Sequence, residues 1–289
     1  MIFGLSCTCA RIQWRNFFQN SPPILGPLTS KNMSYRAYPS PINRSSFAPE
    51  GVESIVVIGR MNYAKKSKGI QTIIRQLIHE GFSVYEFEES QAKISKWLEE
   101  QCIAFKPHSL IGRFLIRDSH SNWFRRLLKF RFLLRHPDCI EFIARRLNPK
   151  RSQVSELRAF ISSLPTDKIN LVAHSAGGIT AGIVSNDSRI KKIVCFGYPF
   201  KHPDRNEEAY RTTPLTNCRK PYLIIQGTYD EYGAPSQLAQ YELTDPVKIL
   251  SVNANHDYDN LTKTDITFLS HQIIDFFREK SGEDLNKQL

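Results

Sequence analysis

Apolar positions along this chain follow two rhythms: short continuous runs, and longer stripes at helical spacing. The runs are Ser54–Ile58, Phe82–Phe87, Ile169–Ala173, Lys192–Phe196, Pro221–Gln226 and Val247–Val252. Each has strand length and ends in turn-forming or charged residues, the pattern of a strand buried in a parallel sheet. Between the first two runs, Ile70, Ile73, Ile74, Leu77 and Ile78 form one stripe of a helix, and Gly81 follows as its C-terminal cap. Gln91–Gln101 reads as a helix, as do Ala176–Ser185 and the segments carrying Val154, Leu157, Phe160, Ile161 and Leu164. Ile266, Leu269, Ile273, Ile274, Phe276 and Phe277 mark a C-terminal helix. Strand and helix alternate, which predicts an α/β fold: a mostly parallel sheet of six or more strands with helices on both faces.

One stretch breaks the alternation. About 103–150 is a helical insertion ahead of the strand at Ile169. Within it Asn122–Arg135 reads as a helix rich in both aromatic and basic residues. Three roles compete for it: an added helical layer with a solvated basic face, a lid over a pocket, or a peripheral contact with an anionic membrane or protein. Against the last, Phe130, Phe132, Leu133 and Leu134 surround Arg131 rather than sorting to one face.

Candidate chemistry is concentrated at three strand ends. Ala173-His174-Ser175-Ala176-Gly177-Gly178 joins an apolar strand to a helix of small residues. A serine on such a turn is a nucleophile elbow: the sharp bend lifts its hydroxyl clear of the sheet, and the residues two before and two after it must be small. Ala173 and Gly177 hold those positions. A hydroxyl is a poor nucleophile until a neutral imidazole takes its proton, and the imidazole needs a carboxylate on its other nitrogen. Asp230 follows Gly227-Thr228-Tyr229 after the fifth run, and His256 follows Asn253-Ala254-Asn255 after the sixth. Asp230 is preferred over Glu231, Asp257 and Asp259 because it lies closest behind a strand and its Gly-Thr turn. Open α/β sheets place their sites beyond the carboxyl ends of strands, where all three candidates fall. His174 reads as a neighbour of the elbow rather than a second base.

In the order Ser175, Asp230, His256 the chain resembles the α/β-hydrolase superfamily over roughly residues 52–280. Phe196-Gly197-Tyr198-Pro199-Phe200 and Gln226-Gly227-Thr228-Tyr229-Asp230 resemble the small dienelactone-hydrolase-like branch, which includes bacterial predicted hydrolases and relatives of NSL-complex subunit 3. The resemblance implies an α/β-hydrolase fold and a Ser175–His256–Asp230 catalytic triad. It also implies an oxyanion hole formed by the backbone N–H of Ala176 and of Arg60 or Met61. That branch usually carries a His-Gly loop after its first strand, whereas this chain has the bulkier Gly59-Arg60-Met61-Asn62. The Arg60 guanidinium is either structural or a clasp for a substrate carboxylate. Tyr198 and Phe200 either line an acyl pocket or pack in the core. The function expected is cleavage of a small-molecule ester or thioester through an acyl-enzyme, with no metal and no organic cofactor. The alternative is a non-catalytic scaffold of the same fold that binds other proteins.

Charge changes the picture at the edges. The formal net charge is +11, of which residues 1–49 carry +5 and residues 106–151 carry +9, leaving −3 for the rest. Basicity thus belongs to two appendages, and the core lacks the basic working face of a nucleic-acid binder. Residues 1–50 form an irregular basic segment rich in proline, and 51–289 the hydrolase domain. The first segment fits a disordered tail, a start at Met33, or organellar targeting. No apolar run approaches the roughly 20 residues of a membrane span. Six scattered cysteines without metal-type spacing suggest a reducing, cytoplasmic setting.

Overall fold

The computed structural model describes residues 53–60, 67–89, 94–95, 97–100, 102, 126, 129–131, 133 and 149–279. They fall into two compact units: one holds the positions between 94 and 133, the other holds 53–89 and 149–279. In the first, every described position is helical, as expected for Gln91–Gln101 and for the basic segment, and Lys129 pairs with Glu99 at 2.5 Å. The role of the rest of the insertion, and of the segment 1–50, lies outside the described residues.

The second unit is built on six parallel strands: β1 Ser54–Ile58, β2 Ser83–Phe87, β3 Ile169–His174, β4 Ile190–Phe196, β5 Tyr222–Gly227 and β6 Val247–Val252. Their order across the sheet is β2-β1-β3-β4-β5-β6, with every neighbouring pair parallel. Parallel strands need crossover helices, which cover both faces. These are α1 Lys68–His79, α2 Pro149–Ser163, α3 Ala176–Val184 and α5 Lys263–Arg278, with the short α4 Thr213–Thr216 beside α3.

Strand alternation feeds two separate cores. Val56, Ile58, Leu171 and Ala173 face α2 and α3, packing with Leu157, Phe160 and Ile161. Ile55, Val172, Val194 and Ile225 face α1 and α5, packing with Ile73, Leu77, Leu269 and Ile273. Local signals set the helix ends. Ser67 caps α1 by accepting from the Ile70 N–H at 3.3 Å. Gly81, at φ 95°, ends it: its N–H reaches the Ile78 carbonyl while that of Phe82 reaches Leu77, a Schellman closure. Thr262 and Asp265 form a reciprocal capping box at the start of α5.

β4 begins two residues earlier than the apolar run suggested. Lys192 lies inside it, nearly fully buried, with its ammonium donating to the carbonyls of Phe276 and Glu279 at the end of α5. A cation placed on the last carbonyls of a helix is stabilised by the helix dipole, so the strand tolerates it. The connection after Phe200 packs in its later part on α3, where Pro214 Cβ is 2.8 Å from the position a Cβ on Gly182 would take. Among the described residues, no helix is long and apolar enough to cross a membrane.

Candidate active site

The chain leaves β1 toward β2 on one side and returns to β3 on the other, so the loops after β1 and β3 diverge. Such a switch point opens a crevice at the carboxyl end of the sheet. Ser175 sits there, between β3 and α3, at φ 55° and ψ −125°. A non-glycine residue at positive φ is strained and persists when its surroundings over-determine it. Here the Ser175 N–H donates to the Phe196 carbonyl at 2.9 Å and its own carbonyl accepts from Gly178 at 2.8 Å. Close packing completes the constraint. A Cβ on Gly177 would come within 2.7 Å of the Gly59 carbonyl oxygen and 2.8 Å of that of Ile58. A Cβ on Gly178 would overlap the Cys195 sulfur and come within 2.9 Å of Tyr198. Ser175 makes no side-chain cap to α3, so its hydroxyl is free to pair elsewhere.

It pairs with His256. Ser175 Oγ is 2.8 Å from His256 Nε2, and His256 Nδ1 is 3.0 and 2.9 Å from the two carboxylate oxygens of Asp230. A carboxylate on Nδ1 places the proton on that nitrogen, so Nε2 accepts from the serine hydroxyl. The Asp230 side chain is wholly buried, a position a carboxylate holds only when hydrogen-bonded. Its other donors are the Tyr232 N–H at 2.9 Å and Gln226 Nε2 at 3.0 Å. The same Gln226 amide reaches the carbonyls of Gly233 at 2.8 Å and Tyr198 at 3.4 Å.

The second sphere of contacts explains why the pair is held so closely. Gly197, at φ 58°, lies behind it, and a Cβ there would stand 3.1 Å from Asp230 Oδ2, His256 Nδ1 and the Tyr258 ring. His174, at the end of β3, meets the His256 carbonyl through Nε2 at 3.1 Å, which assigns the proton to that nitrogen. Burial pushes the His174 imidazole down to about 4, against the pull of that hydrogen bond, with the nearby Arg60 charge acting in the same direction as burial. It is therefore a neutral donor to the loop, not a base. Tyr258, fully buried, has φ 56° and donates to the Ile225 carbonyl at 2.6 Å. Burial drives its phenol well above the usual range, with the Asp230 charge adding to the effect.

For Arg60 the structural alternative holds, and the pocket-lining expectation for Tyr198 and Phe200 is corrected. Arg60 does not present its guanidinium to the crevice as a carboxylate clasp: Nη1 and Nη2 both donate to Asp257 Oδ1, at 2.6 and 2.8 Å. Tyr198 and Phe200 do not line the site. The turn at Gly197 sends Tyr198 beneath the sheet, fully buried, with its hydroxyl donating to the Arg211 carbonyl at 2.5 Å. Phe200 is stacked against Tyr241 in the same core, with ring centroids 5.3 Å apart. Of the backbone donors, Ala176 N opens α3 beside Ser175, where first-turn N–H groups have no partner within the helix. Met61 lies outside the described residues. Among those described, no cluster of three or more His, Cys, Asp or Glu is gathered to hold a metal.

A family model described as an alpha/beta hydrolase domain matches residues 130–279, just over half of the chain. The chain belongs to the alpha/beta hydrolase family. One solved structure supports the fold of this alpha/beta hydrolase. A hydrolase from Oleispira antarctica superposes with a TM-score of 0.50 at 13% identity, covering 81% of this chain and 93% of that one. An alpha-beta serine hydrolase homologue from Coxiella burnetii gives 0.45 at 15% identity, covering 81% and 88%. Est1E from Butyrivibrio proteoclasticus gives 0.45 at 12%, covering 83% and 93%. At 13% identity the likeness to the Oleispira antarctica hydrolase extends to the fold alone, and the other two superpose too loosely to add to it. Among curated proteins none matches the sequence.

Gln226, Gly197, Tyr232 and Tyr258 of this alpha/beta hydrolase had no site role assigned from the sequence, although the first two stand in the motifs that carry the resemblance. Gln226 left a trace, being a polar residue ending an apolar run. Gly197 left another, as a glycine closing β4. Tyr232 and Tyr258 left none.

Proposed function

We propose that the protein is a serine hydrolase that cleaves an ester or thioester through an acyl-enzyme. The observation that carries this reading is the continuous relay from Ser175 Oγ to His256 Nε2, and from His256 Nδ1 to a buried Asp230. In the first half-reaction Ser175 Oγ attacks the acyl carbon while its proton passes to His256 Nε2. The carbonyl electron pair moves to oxygen, where the N–H of Ala176 and a second backbone N–H from the loop after β1 at Arg60 or Met61 receive the charge. When the tetrahedral intermediate collapses, His256 returns the proton to the departing alkoxide or thiolate. Water then repeats the sequence on the acyl-serine and frees the acid. Asp230 stays ionised throughout and holds the imidazole in one tautomer.

Because Arg60 is occupied by Asp257, recognition of the acyl chain falls to other groups, and an uncharged acyl group suits the reading best. The test is labelling of the purified protein with a fluorophosphonate, beside Ser175→Ala, followed by a panel of ester and thioester chain lengths. Labelling that disappears in the variant, with turnover of at least one panel member, is the expected result. A folded wild-type protein that neither labels nor turns over any member overturns the reading and favours a binding scaffold.

A further inference from the structure

We infer that Tyr232 is a positioning residue that acts through His256, its ring stabilising the imidazolium formed when the serine proton is transferred. The inference rests on the reading of Ser175, His256 and Asp230 given above.

The Tyr232 ring centroid lies 4.3 Å from that of His256, with 36° between the planes. The π face of an aromatic ring carries negative charge density, and a cation within about 6 Å of the centroid is attracted to it. His256 gains positive charge as it takes the serine proton, so the attraction grows as the reaction proceeds. An interaction stronger in the transition state than in the ground state is what accelerates a step.

The ring is held in place from several sides. The Asp230–Gly233 turn closes with the Gly233 N–H on the Asp230 carbonyl at 3.2 Å. Within it the Tyr232 N–H donates to Asp230 Oδ1, and its carbonyl accepts from the Lys201 N–H at 3.0 Å. The His202 ring meets the Tyr232 ring edge-on, with centroids 5.8 Å apart at 83°. The loop that supplies the acid to one nitrogen of His256 therefore also supplies an aromatic face to the ring as a whole.

The described groups around His256 are few. Asp230 meets Nδ1, Ser175 meets Nε2, and His174 donates to the His256 carbonyl, their rings 5.8 Å apart. The Arg60–Asp257 pair is next along the loop, and the Tyr258 phenol reaches the Ile225 carbonyl. Asp230 and Tyr232 both turn negative charge density toward the imidazole.

The midpoint of the His256 imidazole is read by NMR titration, its signal assigned by loss in His256→Gln, which requires no turnover. In Tyr232→Leu the midpoint falls by about half a pH unit and fluorophosphonate labelling slows roughly 3-fold, the size of a part-exposed cation–π contact. Tyr232→Phe restores both, since the ring and not the hydroxyl carries the effect. An unmoved or raised midpoint in Tyr232→Leu overturns the inference while leaving the Ser175 reading intact. Folded wild-type protein that neither labels nor turns over any ester or thioester overturns the Ser175 reading instead, and the titration still tests Tyr232. Should Tyr232→Leu fail to fold, progressively fluorinated phenylalanines at 232 take its place. A midpoint that drops with each fluorine supports the inference, and a flat series ends it.

Discussion

Two donors of Arg60 converge on a single oxygen of Asp257, at 2.6 and 2.8 Å, and tie the loop after β1 to the loop that carries His256. The side chains are only 16% and 23% exposed, so water screens the pair weakly. The tie joins the two walls of the crevice, one bearing a proposed oxyanion donor and the other the proposed base.

Arg60→Ala is therefore expected to lower stability by about 1–3 kcal/mol, the cost of removing two charge-assisted hydrogen bonds from a part-buried carboxylate. It is expected to slow fluorophosphonate labelling as well. A double-mutant cycle with Asp257→Ala, read by urea midpoint, should return a coupling of roughly 1 kcal/mol. Additive effects would show that the contact does not join the loops.

Gly197→Ala places a methyl group against Asp230, His256 and Tyr258 at a backbone angle that disfavours side chains. The expected loss of stability is about 1–2 kcal/mol. Because the displaced atoms are those of the relay, labelling should fall by roughly tenfold, as sub-ångström misplacement does at reacting groups. Wild-type labelling in a destabilised Gly197→Ala would separate the glycine from the site.

Asp230→Asn keeps the shape of the side chain but offers an amide to Nδ1, which stabilises the wrong tautomer of His256. Turnover should drop about 10⁴-fold, as at other relays of this type. Steady-state kinetics on the best ester of the panel measures it. A loss below tenfold would mean that a different carboxylate serves His256.

His174 carries a pH dependence of its own. Its folded value of about 4 lies below the ordinary value of 6.5, so the unfolded chain binds its proton first. Stability contributed by the neutral imidazole is complete above the unfolded value and is lost as pH falls from 6.5 toward 4, on the order of 3 kcal/mol in all. Urea midpoints across that window should fall steeply in the wild type. His174→Gln, which keeps a donor without the titration, should flatten the slope. An unchanged slope would assign the acid sensitivity to other groups.

Local rules made much of the fold legible in the sequence. Six apolar runs became six strands because a strand in a parallel sheet is covered on both faces and so reads as an uninterrupted run. The α1 stripe with Gly81 became a helix with a Schellman end, since both signals act within a few residues. The elbow was legible for the same reason: small residues around Ser175 are a local steric demand. Asp230 and His256 could be named from their places behind the fifth and sixth apolar runs, because parallel strands deliver their next residues to one edge.

Contacts between distant segments were decided by the tertiary structure. Tyr198 and Phe200 follow a strand end as Asp230 does, yet the positive φ of Gly197 turns them into the core. Nothing nearby in the chain marks which way such a turn points. Arg60 and Asp257, on loops after the first and last strands, meet because those strands' ends share one edge of the sheet. The Tyr232 ring reaches His256 because the Asp230 turn folds back onto the loop after β6. The sequence by itself determined the strands, the helices and the residue types at three strand ends. The structure decided which side chains meet there, because that depends on loop directions and packing between segments far apart in the chain, and no short-range pattern records it.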